Sequence, residues 1–300
     1  MFTGCGTALV TPFRQDFSLD EAALRRLVRR QVEAGIDFLV PCGTTGENPA
    51  LSREEHLRVI EITWEEAHGR VPILAGAGGY NTAEIVGLAK AAAALGVDGI
   101  LSVTPYYNKP TPEGLYQHYK AIAAAVTLPV VVYNVPRRTG TNIDPITLKR
   151  LAEIDNIVGV KEASGDMSQI AVILGQLPEK FIVLSGDDSL ALPTIALGGQ
   201  GLISVASNEI PAEMTELVRF AMENNFAEAR TLQRKYLPLM EANFIESNPG
   251  PVKAAMAAMG LLEPVWRLPL CAPRPETQDK IRRVLESLGL LGSVHAAKSN

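Results

Sequence analysis

The sequence predicts a closed (β/α)8 barrel with a helical appendage, and three observations carry the prediction. Short runs rich in Val, Ile and Leu recur at 6–10, 37–41, 71–75, 98–103, 129–133, 157–161, 181–185 and 201–205. These runs are nearly all apolar instead of alternating, as strands of a parallel sheet covered on both faces should be. Each is followed by a helical pattern, and eight such units suit a closed barrel better than an open doubly wound sheet of roughly five or six strands. Gly76-Ala77-Gly78-Gly79 does not match the G-x-G-x-x-G turn such an open sheet would carry.

The elements follow in order. Ser18 with Glu21 has the spacing of a capping box ahead of Leu24, Leu27, Val28 and Val32. Ser52 with Glu55 repeats it ahead of Leu57, Ile60 and Ile62. Gly35 and Gly96 stand where helices must stop, and Thr111-Pro112 and Asp144-Pro145 place Pro at a first helical position behind a capping residue. Strand and helix alternate through residue 225, which sets the barrel at 1–225. From Phe226 the strand signals vanish, and helical segments remain around 226–242, 249–260 and 276–289. They predict a small C-terminal helical domain over 226–292, with a proline-rich linker, LLEPVWRLPLCAPRP, and a flexible tail at 293–300.

Composition narrows the function. A chain of 300 residues that is 47% hydrophobic and 20% charged describes a compact globular enzyme. Its net charge of −5, with Lys and Arg scattered along helices, offers no face for a phosphate backbone, so no nucleic-acid partner is expected. Cys5, Cys42 and Cys271 are odd in number and lack C-x-x-C spacing, which argues against disulfides or zinc and for a reducing cytoplasm. Neither a signal peptide nor a membrane span is visible, so no membrane association is expected. His56, His68, His118 and His295 show no H-x-x-x-H pairing, so no metal site is expected either.

In a parallel barrel the chemistry lies at the C-terminal ends of the strands. There the sequence offers Gly43-Thr44-Thr45-Gly46-Glu47, Thr104-Pro105-Tyr106-Tyr107-Asn108, Tyr133-Asn134-Val135-Pro136-Arg137-Arg138 and, at the end of a wholly apolar run, Lys161. Desolvation in a barrel mouth favours a neutral lysine amine, which is a carbonyl nucleophile. Position alone leaves a second reading open, in which Lys161 snorkels to solvent or pairs with Glu162. Tyr133, one strand away, can relay protons during imine formation or simply be a core aromatic with its hydroxyl at the rim. Thr44 and Thr45 suit turn formation or carboxylate binding. Arg138 suits a bidentate carboxylate clamp or a solvated charge.

The set GTTGE at 43–47, TPYYN at 104–108, YNVPRRTG at 133–140 and GVKEASGD at 159–166 resembles the dihydrodipicolinate synthase family, from the N-terminus to about residue 292. The resemblance implies that Lys161 forms an imine with pyruvate without any cofactor and that Tyr133 relays protons. It implies that Thr44 links Tyr133 to Tyr107, which reaches the site from a neighbouring subunit of a homotetramer. The position of Arg138 would receive the carboxylate of L-aspartate 4-semialdehyde, while Gly186 and Ile203 would line the pyruvate pocket beside Thr45. Members inhibited by lysine carry a pocket corresponding to Pro49, Arg53, His56, Tyr80, Glu84 and Tyr106. Here Arg53 stands for a common His and Tyr80 for a common Asn, adding charge and bulk. The wider superfamily includes N-acetylneuraminate lyase and keto-deoxy sugar-acid aldolases. Such a sister aldolase, or an inactive barrel serving as a binding subunit, are the competing readings.

Overall fold

The computed structural model describes residues 1–291, so the tail predicted at 293–300, with His295, lies outside the described residues. The barrel runs β1 (Gly4–Ala8), α1 (Glu21–Glu33), β2 (Phe38–Val40), α2 (Arg53–Ala67), β3 (Leu74–Gly76), α3 (Thr82–Ala94), β4 (Gly99–Val103), α4 (Pro112–Ala125) and β5 (Val130–Asn134). It continues through a single turn α5 (Pro136–Thr139), α6 (Pro145–Leu151), β6 (Ile157–Glu162), α7 (Met167–Gln176), β7 (Ile182–Ser185), α8 (Ala191–Ala196), β8 (Gly201–Ser204) and α9 (Pro211–Met222). Helices α10 (Phe226–Ala242), α11 (Gly250–Ala258) and α12 (Pro275–Ser287) follow.

All strand pairs are parallel, in the order β2-β1-β8-β7-β6-β5-β4-β3. The remaining seam is bridged by Leu39 opposite Ile73, with hydrogen bonds from Leu39 N to Pro72 O at 2.9 Å and from Gly76 N to Pro41 O at 2.9 Å. This is the predicted (β/α)8 barrel. Successive residues of β5 divide between two cores. Val131 and Tyr133 face the interior with Phe38, Leu74, Leu101, Leu184 and Ile203, while Val130 and Val132 pack outward against the helices. This two-sided burial is why the strands read as continuous apolar runs.

Two strand edges and one cap differ from the sequence reading. Strand β1 begins and ends two residues earlier than 6–10, because bare backbone lets it approach β8: a Cβ on Gly201 would lie 2.0 Å from Gly4 O. The run at 71–75 yields a strand only from Leu74, since Pro72 has no N–H for the ladder. The predicted capping box of Ser18 and Glu21 does not form. Asp20, one residue before the helix, caps α1 by accepting from Ala23 N at 2.9 Å, and Ser18 instead bonds Asp16. The Ser52–Glu55 box, the caps at Thr111 and Asp144, and the positive φ of Gly35 and Gly96 are as expected.

Helices α10 to α12 share the barrel's outer core through Ala229, Tyr236, Leu239, Ala255, Ile281 and Leu285. Their structural link to the mouth is a buried ion pair in which Lys253 Nζ on α11 meets Glu47 Oε1 at 2.5 Å, both side chains fully buried. Lys253 also donates to Thr11 O at 3.1 Å and lies 4.4 Å from the Phe13 ring centroid. Burial pulls the Lys253 ammonium below its usual range, and the Glu47 carboxylate opposes that shift.

Candidate active site

The site begins with strand register. Tyr133 pairs with Lys161 and Asn134 with Glu162 across β5 and β6, so side chains two by two face opposite sides of the wall. Lys161 and Tyr133 point into the barrel mouth, where Lys161 Nζ lies 4.3 Å from the Tyr133 ring centroid. Asn134 and Glu162 point outward and fasten the two strands, with Asn134 Nδ2 donating to Glu162 Oε2 at 2.9 Å and Ile143 N donating to Asn134 Oδ1 at 3.0 Å. Ser164 N donates to Glu162 Oε1 at 2.8 Å. Burial raises the Glu162 carboxyl, while the bonds from Ser164 and Asn134 pull it back down.

This arrangement removes the second reading that position left open for Lys161. Its side chain is buried, and no carboxylate lies within ion-pair distance of it among the described residues. Glu162 is committed to the opposite face, so neither snorkelling nor pairing with Glu162 describes the residue. Gly186 makes the room, since a Cβ there would lie 2.7 Å from Ala163 Cβ and 3.0 Å from Lys161 Cε. Any side chain at 186 would displace the lysine stem.

Lys161, Tyr133, Thr44, Thr45, Arg138 and Gly186 line one cavity of about 540 Å³. A smaller apolar recess of about 200 Å³, reaching Tyr106 and Pro49, opens from Thr44, Tyr133 and Arg138. The Arg138 guanidinium donates to Asn248 O at 3.0 Å and has no carboxylate partner among the described residues, so it remains free for an anion. Ile203 is fully buried in the interior cluster with Tyr133 and Leu184, beneath the cavity and not among its lining. Val205, two residues along, reaches the cavity instead. Tyr107 is not brought to the site of its own chain. It stands 89% exposed with φ of 68°, a left-handed conformation uncommon for a bulky residue.

The residues that the resemblance assigns to a lysine pocket divide into two neighbouring groups. Arg53, His56 and Glu84 line a groove of about 280 Å³ between α2 and α3. Tyr80 and Tyr106 pack edge to face with centroids 5.2 Å apart, and Pro49 lies in the recess beside Tyr106. His56 Nε2 bonds Gly76 O at 2.7 Å, and burial holds its imidazole below the usual range.

Strand ends alone did not reveal the roof of the cavity. It is built by the segment Phe244–Asn248 between α10 and α11, with Asn248 Nδ2 donating to Thr45 Oγ1 at 3.0 Å across 203 residues of sequence. The only signal was the Asn-Pro-Gly-Pro turn at 248–251. Among the described residues, no three His, Cys, Asp or Glu side chains gather as a metal site would require.

The model of the dihydrodipicolinate synthetase family matches residues 1–288 of the chain. The 4-hydroxy-tetrahydrodipicolinate synthase of Koribacter versatilis is 58% identical over 296 residues, covering 98% of this chain and 99% of that protein. The crystal structure of dihydrodipicolinate synthase from Aquifex aeolicus superposes with a TM-score of 0.95 at 46% identity, over 96% of this chain and 99% of that one. The corresponding enzyme of Thermotoga maritima gives a TM-score of 0.95 at 45% identity, over 97% of this chain and all of that one.

Proposed function

The chain belongs to the dihydrodipicolinate synthetase family and condenses pyruvate with L-aspartate 4-semialdehyde to 4-hydroxy-tetrahydrodipicolinate, and we propose that it does so through an imine on Lys161. The reaction is a step of lysine and diaminopimelate biosynthesis. The observation that carries the mechanism is the buried, unpaired Lys161 amine set against Tyr133 in the cavity of the barrel mouth.

The amine attacks C2 of pyruvate, and the resulting carbinolamine loses its hydroxyl as water with a proton supplied by the Tyr133 hydroxyl. Loss of a proton from C3 gives the enamine, whose C3 attacks the aldehyde carbon of the semialdehyde. The semialdehyde's own amine then attacks C2 and expels Lys161, closing the ring with a net loss of one water. Thr45 holds the pyruvate carboxylate, and Arg138, free of any protein anion, holds the carboxylate of the semialdehyde in a charge-assisted pair. No metal or other cofactor enters this scheme, because the imine itself stores the carbanion's electron pair.

Assembly belongs to the same reading. An exposed Tyr107 held in a strained conformation, unused by its own cavity, suits a residue delivered to a neighbouring subunit of a homotetramer, with Thr44 joining it to Tyr133. A cytoplasmic home is supported by the unpaired Cys5, Cys42 and Cys271, and no described helix is long and apolar enough to cross a membrane. The test is turnover with pyruvate against a panel of aldehydes, at protein concentrations spanning tetramer dissociation. Activity is expected with L-aspartate 4-semialdehyde and to fall on dissociation. Equal or better turnover with a longer sugar aldehyde would overturn the assignment of Arg138.

A further inference from the structure

The mouth loop carrying Thr44 and Thr45 is tied to the C-terminal segment at two points. One is the Lys253–Glu47 ion pair, fully buried and therefore rigid. The other is Asn248, whose side chain is buried and whose Nδ2 donates to Thr45 Oγ1 at 3.0 Å, while its main-chain oxygen accepts from Arg138 Nη2 at 3.0 Å. A single residue thus touches both groups assigned above to the two substrate carboxylates.

The polarity of the Asn248–Thr45 contact has a chemical consequence. A hydroxyl oxygen that accepts from an amide must turn its own hydrogen elsewhere, and Thr45 Oγ1 donates to no protein group among the described residues. The reverse orientation of the amide would bury an NH2 group without an acceptor, whereas the observed one leaves only the carbonyl Oδ1 unpartnered. Unpartnered carbonyls are better tolerated than unpartnered N–H groups. Thr45 lines the cavity, so its free hydrogen has the cavity to point into.

We propose that Asn248 is a positioning residue for the keto-acid substrate: its amide fixes the Thr45 hydroxyl as a donor aimed at the carboxylate of pyruvate. The proposal rests on the reading of Thr45 as a carboxylate ligand. Asn248→Asp keeps the shape and inverts the polarity. Thr45 then donates to the new carboxylate, and its hydrogen is withdrawn from the substrate. The Lys253–Glu47 pair continues to hold the segment, so the fold has an anchor that the substitution does not touch.

The experiment is a double-mutant cycle of Asn248→Asp and Thr45→Val, read as KM for each substrate together with Tm. A lost hydrogen bond to a charged group corresponds to about tenfold or more. Asn248→Asp is expected to raise the pyruvate KM about tenfold, to move the semialdehyde KM and Tm little, and to add almost nothing in the Thr45→Val background. Full additivity with Thr45→Val would overturn the proposal, because a new negative charge acting directly on substrate does not need Thr45. A fall in Tm with both KM values raised alike would overturn it in favour of a structural role. Should Asn248→Asp leave the pyruvate KM unchanged while Thr45→Val raises it, the proposal fails and the Thr45 assignment stands. If Thr45→Val itself leaves the pyruvate KM unchanged, the assignment fails and the proposal with it.

Discussion

The mouth around Lys161 and the groove between α2 and α3 are both lined by ionisable side chains, yet they are wired in opposite ways. In the mouth the supporting residues are doubly tied and the reactive tips are left free. Asn134, Glu162 and Lys253 spend their polar atoms on protein, as does the Nδ2 of Asn248, whereas the Lys161 amine and the outer face of Arg138 do not. In the groove the buried and acidic tips are engaged, His56 with Gly76 O at 2.7 Å and Glu84 with Asn81 Nδ2 at 2.9 Å, while Arg53 makes one main-chain bond, to Gly87 O at 3.1 Å, as Arg138 does to Asn248 O. A group left unpaired inside a rigid frame marks the place where a substrate completes the hydrogen bonding. A group already paired at a rim marks a surface that can at most tune the centre.

The largest effect that tests this contrast is on the proton relay. Tyr133→Phe should lower kcat about 10²- to 10⁴-fold, the range for loss of a positioned acid–base group, while Glu84→Gln in the groove leaves kcat within about twofold. Comparable losses from both would erase the distinction. Next comes the frame. Lys253→Met strands the Glu47 carboxylate in a fully buried site and should cost about 3–5 kcal/mol in urea unfolding, with much of that recovered by adding Glu47→Leu. Arg138→Ala should lower kcat/KM for the semialdehyde about 10- to 100-fold and leave pyruvate trapping unchanged, because in the proposed scheme its charge-assisted bonds serve only the second substrate.

Acid should separate the two flanks of the barrel. His118 lies beside α3, its Nδ1 bonded to Thr82 Oγ1 at 2.8 Å, and burial lowers it to about 4. Its contribution to stability is complete above the unfolded value near 6.5 and is lost as pH falls toward 4, by about 3 kcal/mol at most. Asp188, buried in the loop after β7, accepts from Ser204 Oγ, Val205 N and Ala206 N, yet burial raises it to about 6. The sign is reversed: its contribution is complete below the unfolded value of 3.8 and is lost as pH rises through about 6. The two nearly cancel. Urea midpoints at pH 7 and 4.5 should therefore show Asp188→Asn losing more stability in acid than the unmodified protein, and His118→Gln losing less. The smallest effect concerns the groove itself. On the lysine pocket that the family resemblance implies, Arg53→His with Tyr80→Asn should tighten lysine binding, read by calorimetry, by roughly threefold to tenfold, the scale of one relieved charge conflict near the surface.

Much of this was legible in the sequence where the informative neighbours are local. Lys161, Tyr133 and Arg138 end apolar strands or open the loops behind them, and strand-end position in a parallel barrel is enough to single them out. Local chemistry misled once, at α1, where two capping candidates lie two residues apart and Asp20 took the role given to Ser18. The roof was illegible for a different reason. Asn248 and Lys253 reach Thr45 and Glu47 across more than 200 residues, and although the Asn-Pro-Gly-Pro turn marks a break in the helices, no periodicity or spacing encodes which residues it meets. Ile203 shows the limit of position within a strand, since a shift of two residues separates the buried interior from the cavity that Val205 reaches.

The central claim concerns one nitrogen atom. Incubation with pyruvate and sodium borohydride, followed by peptide mapping, should place a single reduced pyruvyl adduct on Lys161 and none on Lys161→Ala. An adduct on another lysine, or one that survives in Lys161→Ala, would contradict the account.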